Sequence, residues 1–148
     1  MIVDGLNFLS VVFSGLIAGY AMAFMGYWME GFFRLPRVDL SETALIYFDE
    51  DGASHWWIGI IAHQINSVLF SLAFAGLLYA YLPGWGGLRG LAFGVLLWLT
   101  VSLVALIGRI AGAKVFQRRI RLTLPHSMAN LLLHLLYGFI LGALYVPP

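Results

Sequence analysis

Long apolar runs, separated by short polar segments, form most of this chain of 148 residues. Four runs are each long enough to cross the ~30 Å hydrocarbon layer of a membrane as a helix of about 20 residues. They predict helices at about 8–33, 56–82, 88–112 and 124–146. The runs are continuous and lack two-residue alternation, so the pattern predicts a helical membrane protein and not a β-barrel.

The connecting segments complete the predicted topology. Pro83 and the glycines after it indicate a tight turn between the second and third helices. Between the first and second helices, Asp39 is followed by residues that favour a short amphipathic helix on the membrane surface, within loop 34–55. Loop 113–123 is basic. The expected fold class is therefore all-α: one transmembrane domain over 1–148, a polytopic four-helix bundle running up-down-up-down.

Small residues recur every fourth position within the apolar runs. Residues four apart lie on one face of a helix, and small residues there let membrane helices approach closely. Two of these ladders begin with a histidine, so each predicts a smooth groove with an imidazole at one end. The predicted packing positions are Gly15 and Gly19, Ser67 and Ser71 after His63, Gly90 and Gly94, and Gly138 and Gly142 after His134.

The same pattern indicates an internal repeat. Helices 1–2 and helices 3–4 would be two hairpins of like design, each a Gly-x3-Gly helix followed by a histidine-headed helix. Because both hairpins begin on the same side of the membrane, the repeat would be parallel and not inverted.

Composition agrees with a membrane location. The chain is 61% hydrophobic and 10% charged, whereas a soluble domain carries roughly 25% charged residues. We therefore expect the lipid bilayer as a partner, and bound lipids. The net charge of +1 suggests no nucleic-acid partner. Since cysteine is absent, disulfides, thiolate metal sites and iron–sulfur clusters are excluded within this chain.

The distribution of basic residues predicts the orientation. Arg89 alone belongs to the side that carries the termini; the other seven of the eight basic residues lie in or beside loops 34–55 and 113–123. The positive-inside rule then predicts that both loops are cytoplasmic and both termini are outside.

Histidines at membrane depth are the first candidate site. At 1.5 Å per residue, His63 and His134 would lie about 10 and 13 Å from the cytoplasmic ends of their helices, nearly level with each other. One interpretation is a b-type haem with His63 and His134 as axial ligands and Arg109 beside the propionates. Close glycine contacts argue against it, because they leave little room for a macrocycle. No cofactor is expected by default, and haem b is the alternative.

Two other interpretations remain open. A proton or ion relay could run through the histidines, Glu30 and Arg109, but no acidic residue lies mid-membrane to complete the path. Alternatively, each histidine bonds a backbone carbonyl or a neighbouring amide and fixes helix packing. The polar residues in question are Glu30, Asn66, His126 and Asn130. A metal site is not expected, because His126, Asn130 and His134 lack a nearby carboxylate.

The fourth helix carries the most specific motif, His134-x2-Tyr137-Gly138-x3-Gly142-x2-Tyr145. Together with the Asp-Leu-Ser helix start at Asp39, it resembles a family of small four-helix prokaryotic membrane proteins of unassigned function, distantly similar to the YagU-like inner-membrane proteins. The resemblance covers nearly the whole chain. It implies the prokaryotic inner membrane and provides no catalytic residues.

The function expected from these features is non-enzymatic. The loops are too short to form a catalytic domain, and no GxSxG, HExxH or P-loop pattern occurs. The helices carry more small-x3-small faces than a four-helix bundle is expected to use internally. We therefore expect an integral subunit or accessory protein of a larger membrane complex, as a hetero-complex or homo-oligomer. A respiratory or electron-transfer complex is the expected host by analogy.

Overall fold

A computed structural model describes residues 5–42, 54–112 and 123–148. Its helices are α1 (Phe8–Phe33), α2 (His55–Ala73), α3 (Gly86–Ile110) and α4 (Leu124–Leu144). With the turn that extends α2 to Leu78, all four are long and apolar enough to span a membrane. The predicted all-α, four-helix fold class is thus confirmed. The predicted surface helix beyond Glu42 and nearly all of loop 113–123 fall outside the described residues.

Local chemistry explains where the helices begin and end. The side chain of Asn7 accepts a hydrogen bond from the amide of Ser10 and caps α1. Arg34 ends α1 in the left-handed region at φ 54°, with its amide bonded to the carbonyl of Glu30. Pro125 occupies the first turn of α4, where a missing amide hydrogen costs nothing. The third helix begins at Gly86 and ends at Ile110, each two residues earlier than predicted.

The second span is not one continuous α-helix, contrary to the predicted helix over 56–82. Its α-helical part stops at Ala73, and Phe74–Leu78 form a turn of π-helix. The amide of Tyr79 bonds the carbonyl of Phe74, five residues back, at 2.7 Å. Hydropathy does not distinguish the two kinds of helix, because the apolar run continues through both.

The first hairpin, α1 and α2, is joined by glycines that face serines. A Cβ at Gly15 would lie 2.5 Å from the hydroxyl of Ser71, and a Cβ at Gly19 would lie 2.5 Å from that of Ser67. Because the residue numbers rise along α1 while those of the facing serines fall along α2, the two helices are antiparallel. The serine ladder therefore packs into the Gly15-x3-Gly19 face.

The second hairpin, α3 and α4, is joined by glycines on both sides. A Cβ at Gly90 would collide with the carbonyl of Gly138, and a Cβ at Gly138 would collide with that of Gly90. One turn further, Gly94 lies against the carbonyl of His134. This seam is backbone against backbone, the closest approach that two membrane helices can make.

Both seams lie inside the bundle, which corrects one expectation. The helices were expected to carry more small-x3-small faces than the bundle uses internally. Instead, Gly15, Gly19, Gly90, Gly138 and Gly142 each face a neighbouring helix of this chain. By contrast, a Cβ at Gly31 would meet nothing within 4 Å.

The order of contacts across the bundle is α2–α1–α4–α3. We call the end where α1 and α3 stop the loop end, and the opposite end, which carries both chain termini, the terminal end. At the terminal end, the amide of Val146 bonds the hydroxyl of Ser10 at 2.7 Å, and the ring of Phe74 lies 5.2 Å from that of Phe93. The π-helical turn therefore brings the second span against α3 at this end, whereas α3 packs mainly against α4 elsewhere.

Candidate functional site

His63 and His134 lie on α2 and α4 and are both 7% exposed. The phenol of Tyr137 on α4 donates to the carbonyl of Ser67 on α2. Because these residues follow the histidines by three and four positions, the bond sets both imidazoles at nearly one level. The structure thus places the predicted pair at one depth, on two helices that this bond joins.

Each imidazole has one nitrogen committed to a backbone carbonyl. Nε2 of His63 donates to the carbonyl of Gly19 at 3.1 Å, across the first hairpin. Nδ1 of His134 donates to the carbonyl of Asn130 at 2.7 Å, one turn back on its own helix. In the neutral ring the second nitrogen is then an acceptor. The two histidines therefore use opposite nitrogens, one to join two helices and one within a helix.

The buried hydroxyls of the first hairpin are also satisfied by carbonyls. Ser67 donates to the carbonyl of His63 at 2.9 Å, and Ser71 donates across the seam to that of Val11 at 3.0 Å. Ser14 bonds the carbonyl of Ser10 at 2.6 Å. The polar groups at this depth therefore hold the backbone together, as the packing interpretation of the histidines expects.

The predicted polar residues of α4 form a line along that helix. Nδ1 of His126 lies 2.8 Å from the hydroxyl of Thr123, at the loop end. The side-chain amide of Asn130 donates to the backbone carbonyl of His126 at 3.0 Å, and the backbone carbonyl of Asn130 accepts from Nδ1 of His134. Asn66 on α2 is half-buried. Along the line His126–Asn130–His134, each later side chain thus bonds the backbone carbonyl one turn before it.

Glu30 and Arg109 do not join the histidines. Glu30 is exposed in the last turn of α1, and the Gly19–Ser67 register sets it level with Trp56, about 10 Å from His63 along the helix. Arg109 is exposed, fifteen residues or roughly 22 Å along α3 from Gly94, which faces His134. Neither side chain can therefore serve the histidine pair in this arrangement.

A haem between the histidines does not fit the residues as packed. The ring of Tyr137 is 1% exposed and reaches from α4 to the Ser67 carbonyl, through the space that a macrocycle would need. The groove of about 340 Å³ between α1 and α2 is lined by Leu16, Tyr20 and residues of α2, but by neither histidine. Among the residues that the structure describes, no three His, Asp or Glu side chains cluster as metal ligands.

Gln64 is a polar residue of this region that sequence reasoning did not select. It is 7% exposed, and its amide lies against Gly19, where a Cβ would be 2.7 Å from Oε1. Neither Oε1 nor Nε2 has a hydrogen-bond partner within the described parts of the chain. A buried amide without partners is costly. The sequence did carry a signal for this residue: Gln64 follows His63 directly and lies in an apolar run.

A second polar group, the clasp of Tyr27, Asp39 and Trp56, holds segment 35–42 against the loop end. Nε1 of Trp56 donates to the Tyr27 hydroxyl at 2.9 Å, which donates to the Asp39 carboxylate at 3.0 Å. Burial alone would raise the pKa of Asp39, but hydrogen bonds from Ser41 and Tyr27, with the charge of Arg37, hold that pKa below its ordinary value. The clasp joins α1, the loop and α2.

The same segment is seated on two glycines. The amide of Val38 bonds the carbonyl of Gly26 at 3.1 Å, and a Cβ at Gly26 would collide with the carbonyl of Val38. A Cβ at Gly59 would collide with the carbonyl of Ser41. The segment therefore lies directly on the backbones of α1 and α2. Asp39 also bonds the amide of Ser41 at 3.0 Å, the capping role predicted from the sequence.

Comparisons with known proteins add no family. No protein-family model, no curated protein and no solved structure matches this chain. The resemblance to the YagU-like membrane proteins therefore rests on the motif of the fourth helix and the Asp39 helix start, and it stays a prediction. What the fold defines is a multi-pass membrane protein, with four helices among the described residues that are long and apolar enough to span a membrane.

Proposed function

We propose that this chain is a non-enzymatic integral membrane subunit that packs, through the open side of α3, against other membrane-spanning chains. The observation that supports the proposal is the exposure of α3 beyond Leu97. Over residues 98–110, Ala105 alone is buried. The large exposed side chains of this segment are Leu99, Val101, Leu103, Val104, Leu106, Ile107 and Ile110.

The neighbours of each helix explain why this side is available. The helices α1 and α4 each have two helical neighbours, whereas α3 packs mainly on α4 and meets the second span through its π-helical turn. An additional helix could lie against α3 without displacing any existing contact. Packing between membrane helices depends on surface fit and dispersion, which such an open face can provide.

The alternatives lack a specific contact in their favour. For a bis-histidine haem protein, Tyr137 fills the required space and Arg109 lies far from the histidines. For a proton or ion transporter, Glu30 and Arg109 lie apart from the histidine pair, and the buried imidazoles bond backbone carbonyls. Both alternatives are therefore less well supported than a packing role.

The cellular setting is part of the proposal. On the basis of the basic residues, we infer cytoplasmic loops and outward-facing termini. The resemblance suggests the prokaryotic inner membrane, and analogy with other small helical subunits suggests a respiratory or electron-transfer complex as host.

Purification from native membranes in a mild detergent tests the subunit role. We expect the wild-type chain to migrate in a complex larger than its own 16.4 kDa mass. Leu103→Trp adds bulk to the exposed side of α3, where Leu103 is 56% exposed, and should release the chain from that complex. Leu9→Trp is the matched control, because Leu9 is 80% exposed on α1, which already has two neighbours.

Two results would contradict the proposal. A wild-type chain that migrates alone at its own mass has no partner. Equal release by both tryptophan variants would mean that bulk anywhere on the lipid-facing surface disrupts the complex, so α3 would not be the docking side.

A further inference from the structure

The seams of the two hairpins are related by one constant offset of 71 residues. The offset relates each pair of facing residues in the first seam to a pair that faces in the second. The matched pairs are Gly15–Ser71 with Gly86–Gly142, and Gly19–Ser67 with Gly90–Gly138. Each position beside the first seam can therefore be compared with its counterpart beside the second.

The groove of about 340 Å³ between α1 and α2 lies beside the first seam. Leu16 on α1 and Val68 on α2 line it, and Tyr20 and Gln64 are its polar residues. Ile61, at its edge, is 57% exposed, so the groove opens toward the lipid. Its volume is within the range of ligand pockets, roughly 300–1,000 Å³.

In the second hairpin, the counterpart of this groove is covered by an aromatic ring of the chain itself. The counterparts of Leu16 and Val68 are Gly87 and Phe139. A Cβ at Gly87 would collide with the ring of Trp85, whose centroid lies 5.9 Å from that of Phe139. Trp85 therefore lies across the two helices at the place where the first hairpin has its groove. This internal example indicates that a flat ring fits at this register.

A polar side chain distinguishes the groove from its counterpart. Gln64 corresponds to Leu135 in the second hairpin. The side chain of Gln64 lines the groove, whereas its Oε1 and Nε2 lie beneath, against Gly19, with no partner among the described residues. Turning this flexible side chain toward the groove presents an acceptor and a donor to a ligand. An amide without partners gains more from such a bond than one that is already satisfied.

The depth of Gln64 restricts the ligand. Gln64 lies nine residues after the first residue of α2, about 13 Å from the loop end of that span. A charged group is costly at this depth, and phospholipid headgroups lie outside the ~30 Å hydrocarbon core. The ligand therefore needs a neutral polar group on a molecule that dissolves in the hydrocarbon layer. A carbonyl or hydroxyl group on a flat ring satisfies both conditions.

We propose that the groove between α1 and α2 binds a membrane-soluble quinone, with its ring between Leu16 and Val68 and a ring oxygen bonded to the Gln64 amide. The oxidised ring offers a carbonyl acceptor to Nε2, and the reduced ring offers a hydroxyl donor to Oε1. The same side chain therefore serves both forms. This site goes beyond the proposed subunit role, which depends on the opposite hairpin.

Photolabelling of the purified chain in detergent micelles tests the site. The probe is a decyl-chain benzoquinone with a diazirine on the first tail carbon, next to the ring. After irradiation, mass spectrometry of digested protein should find the adducts concentrated in segments 16–20 and 60–69. Val68→Phe fills the groove and should reduce labelling by about tenfold or more, because overpacking leaves no room for the ring. Val95→Phe, the same change at a 38% exposed position of α3, should leave labelling unchanged.

Gln64→Leu separates hydrogen bonding from shape. It should reduce quinone labelling by about three- to tenfold, which corresponds to one hydrogen bond. Labelling by a decylbenzene probe with the same diazirine should not change. Added quinone should raise the unfolding midpoint of the wild-type chain, because a ligand that binds the folded state stabilises it. Gln64→Leu should show a smaller rise.

Three results would overturn the proposal: adducts spread over all lipid-facing helices, equal labelling by the two probes, and a Gln64→Leu chain labelled as strongly as the wild type. Equal labelling by the two probes would mean that the groove holds any apolar molecule. If Val68→Phe does not fold, the Gln64→Leu comparison decides alone. None of these results affects the subunit role, which the native complex and Leu103→Trp test on α3.

Discussion

The two hairpins share a register but differ in what fills the seam between their helices. In the second hairpin, glycine faces glycine, and the backbones of α3 and α4 meet directly. In the first hairpin, Ser67 and Ser71 occupy the equivalent positions, so side-chain hydroxyls separate α2 from the glycines of α1. The same four-residue spacing therefore supports two kinds of contact.

Whether backbone or a serine side chain faces the glycines determines how each seam responds to added side-chain volume. A backbone carbonyl cannot move without shifting its helix, whereas a serine side chain can be replaced or can rotate. The first hairpin gains hydrogen bonds across the interface, from His63 to Gly19 and from Ser71 to Val11. The second hairpin depends on close dispersion contact. We expect the second to be the less tolerant of added volume.

The largest expected effect is at the centre of the glycine seam. Gly90→Ala adds a methyl group that collides with the Gly138 carbonyl, so the helices must separate. We expect the free energy of unfolding to fall by about 3 kcal/mol, the upper part of the range for overpacking. Reversible unfolding in mixed detergent micelles measures it. Gly31→Ala is the control, because its methyl group meets nothing; equal losses would refute the seam argument.

A smaller and reversible effect is expected in the first hairpin. Gly15→Ala brings a methyl group within 2.5 Å of the Ser71 hydroxyl, and should cost about 1–2 kcal/mol. Adding Ser71→Gly removes the obstructing atoms and should restore most of the loss, although the Ser71 hydrogen bond is given up. The same unfolding assay compares the single and double variants. Strictly additive losses would mean that these two residues do not face each other.

Gln64 gives a prediction of the opposite sign. Its buried amide lacks partners among the described residues, so Gln64→Leu removes an unsatisfied polar group from the first hairpin. We expect stability to increase by about 1 kcal/mol, by the cost of such groups. Gln64→Asn, which keeps an amide on a shorter stem, should give no increase. A clear loss in Gln64→Leu would reveal a bound water or ligand at this amide.

The bond between the hairpins should contribute less. Tyr137→Phe deletes the hydroxyl that donates to the Ser67 carbonyl and leaves the ring in place. Interhelical hydrogen bonds in membranes average about 0.6 kcal/mol, so we expect a loss of that size in the unfolding assay. A loss above about 2 kcal/mol would mean that the phenol also positions other groups.

The smallest effect concerns pH at the clasp. Because hydrogen bonds hold the pKa of Asp39 below its ordinary value of 3.8, the ionised form stabilises the fold. This contribution is fully present above pH 3.8 and is lost as the pH falls through the lower pKa of the folded protein. The melting temperature should therefore fall as the pH drops below 3.8, and less so in Asp39→Asn. An identical decrease in both proteins would assign the effect to other carboxylates.

How much of this could be predicted from the sequence depends on the kind of signal. Hydropathy predicted the four spans, because crossing a membrane demands a length of apolar chain. Spacing predicted the small-residue seams and the matched histidines. It could not predict which ladder packs against which: more such faces were expected than the bundle uses internally, yet those of Gly15 and Gly90 both face a helix of this chain. Spacing is a property of one helix, whereas a contact needs two.

The residues that sequence reasoning missed are those whose role depends on a distant partner. Trp56 bonds Tyr27, 29 residues away, and Tyr27 bonds Asp39, 12 residues away. Conversely, Arg109 and Glu30 were selected for charge and lie away from the histidines. Residue type indicated possible chemistry at each of these positions, but only the packing decided whether that chemistry had a partner.

The π-helical turn at Phe74–Leu78 sets the rotational phase of the second span. The π-helical turn contains one additional residue. This residue rotates all later side chains of the span about the helix axis by roughly 100°, the angle between successive residues of an α-helix. After that rotation the ring of Tyr79 lies 5.0 Å from Tyr145 and 5.4 Å from Phe74. Deleting one residue here would keep the length sufficient to span the bilayer but turn Tyr79 away. The rotational phase of this helix, and not its length, therefore determines the contact between Tyr79 and Tyr145 at the terminal end.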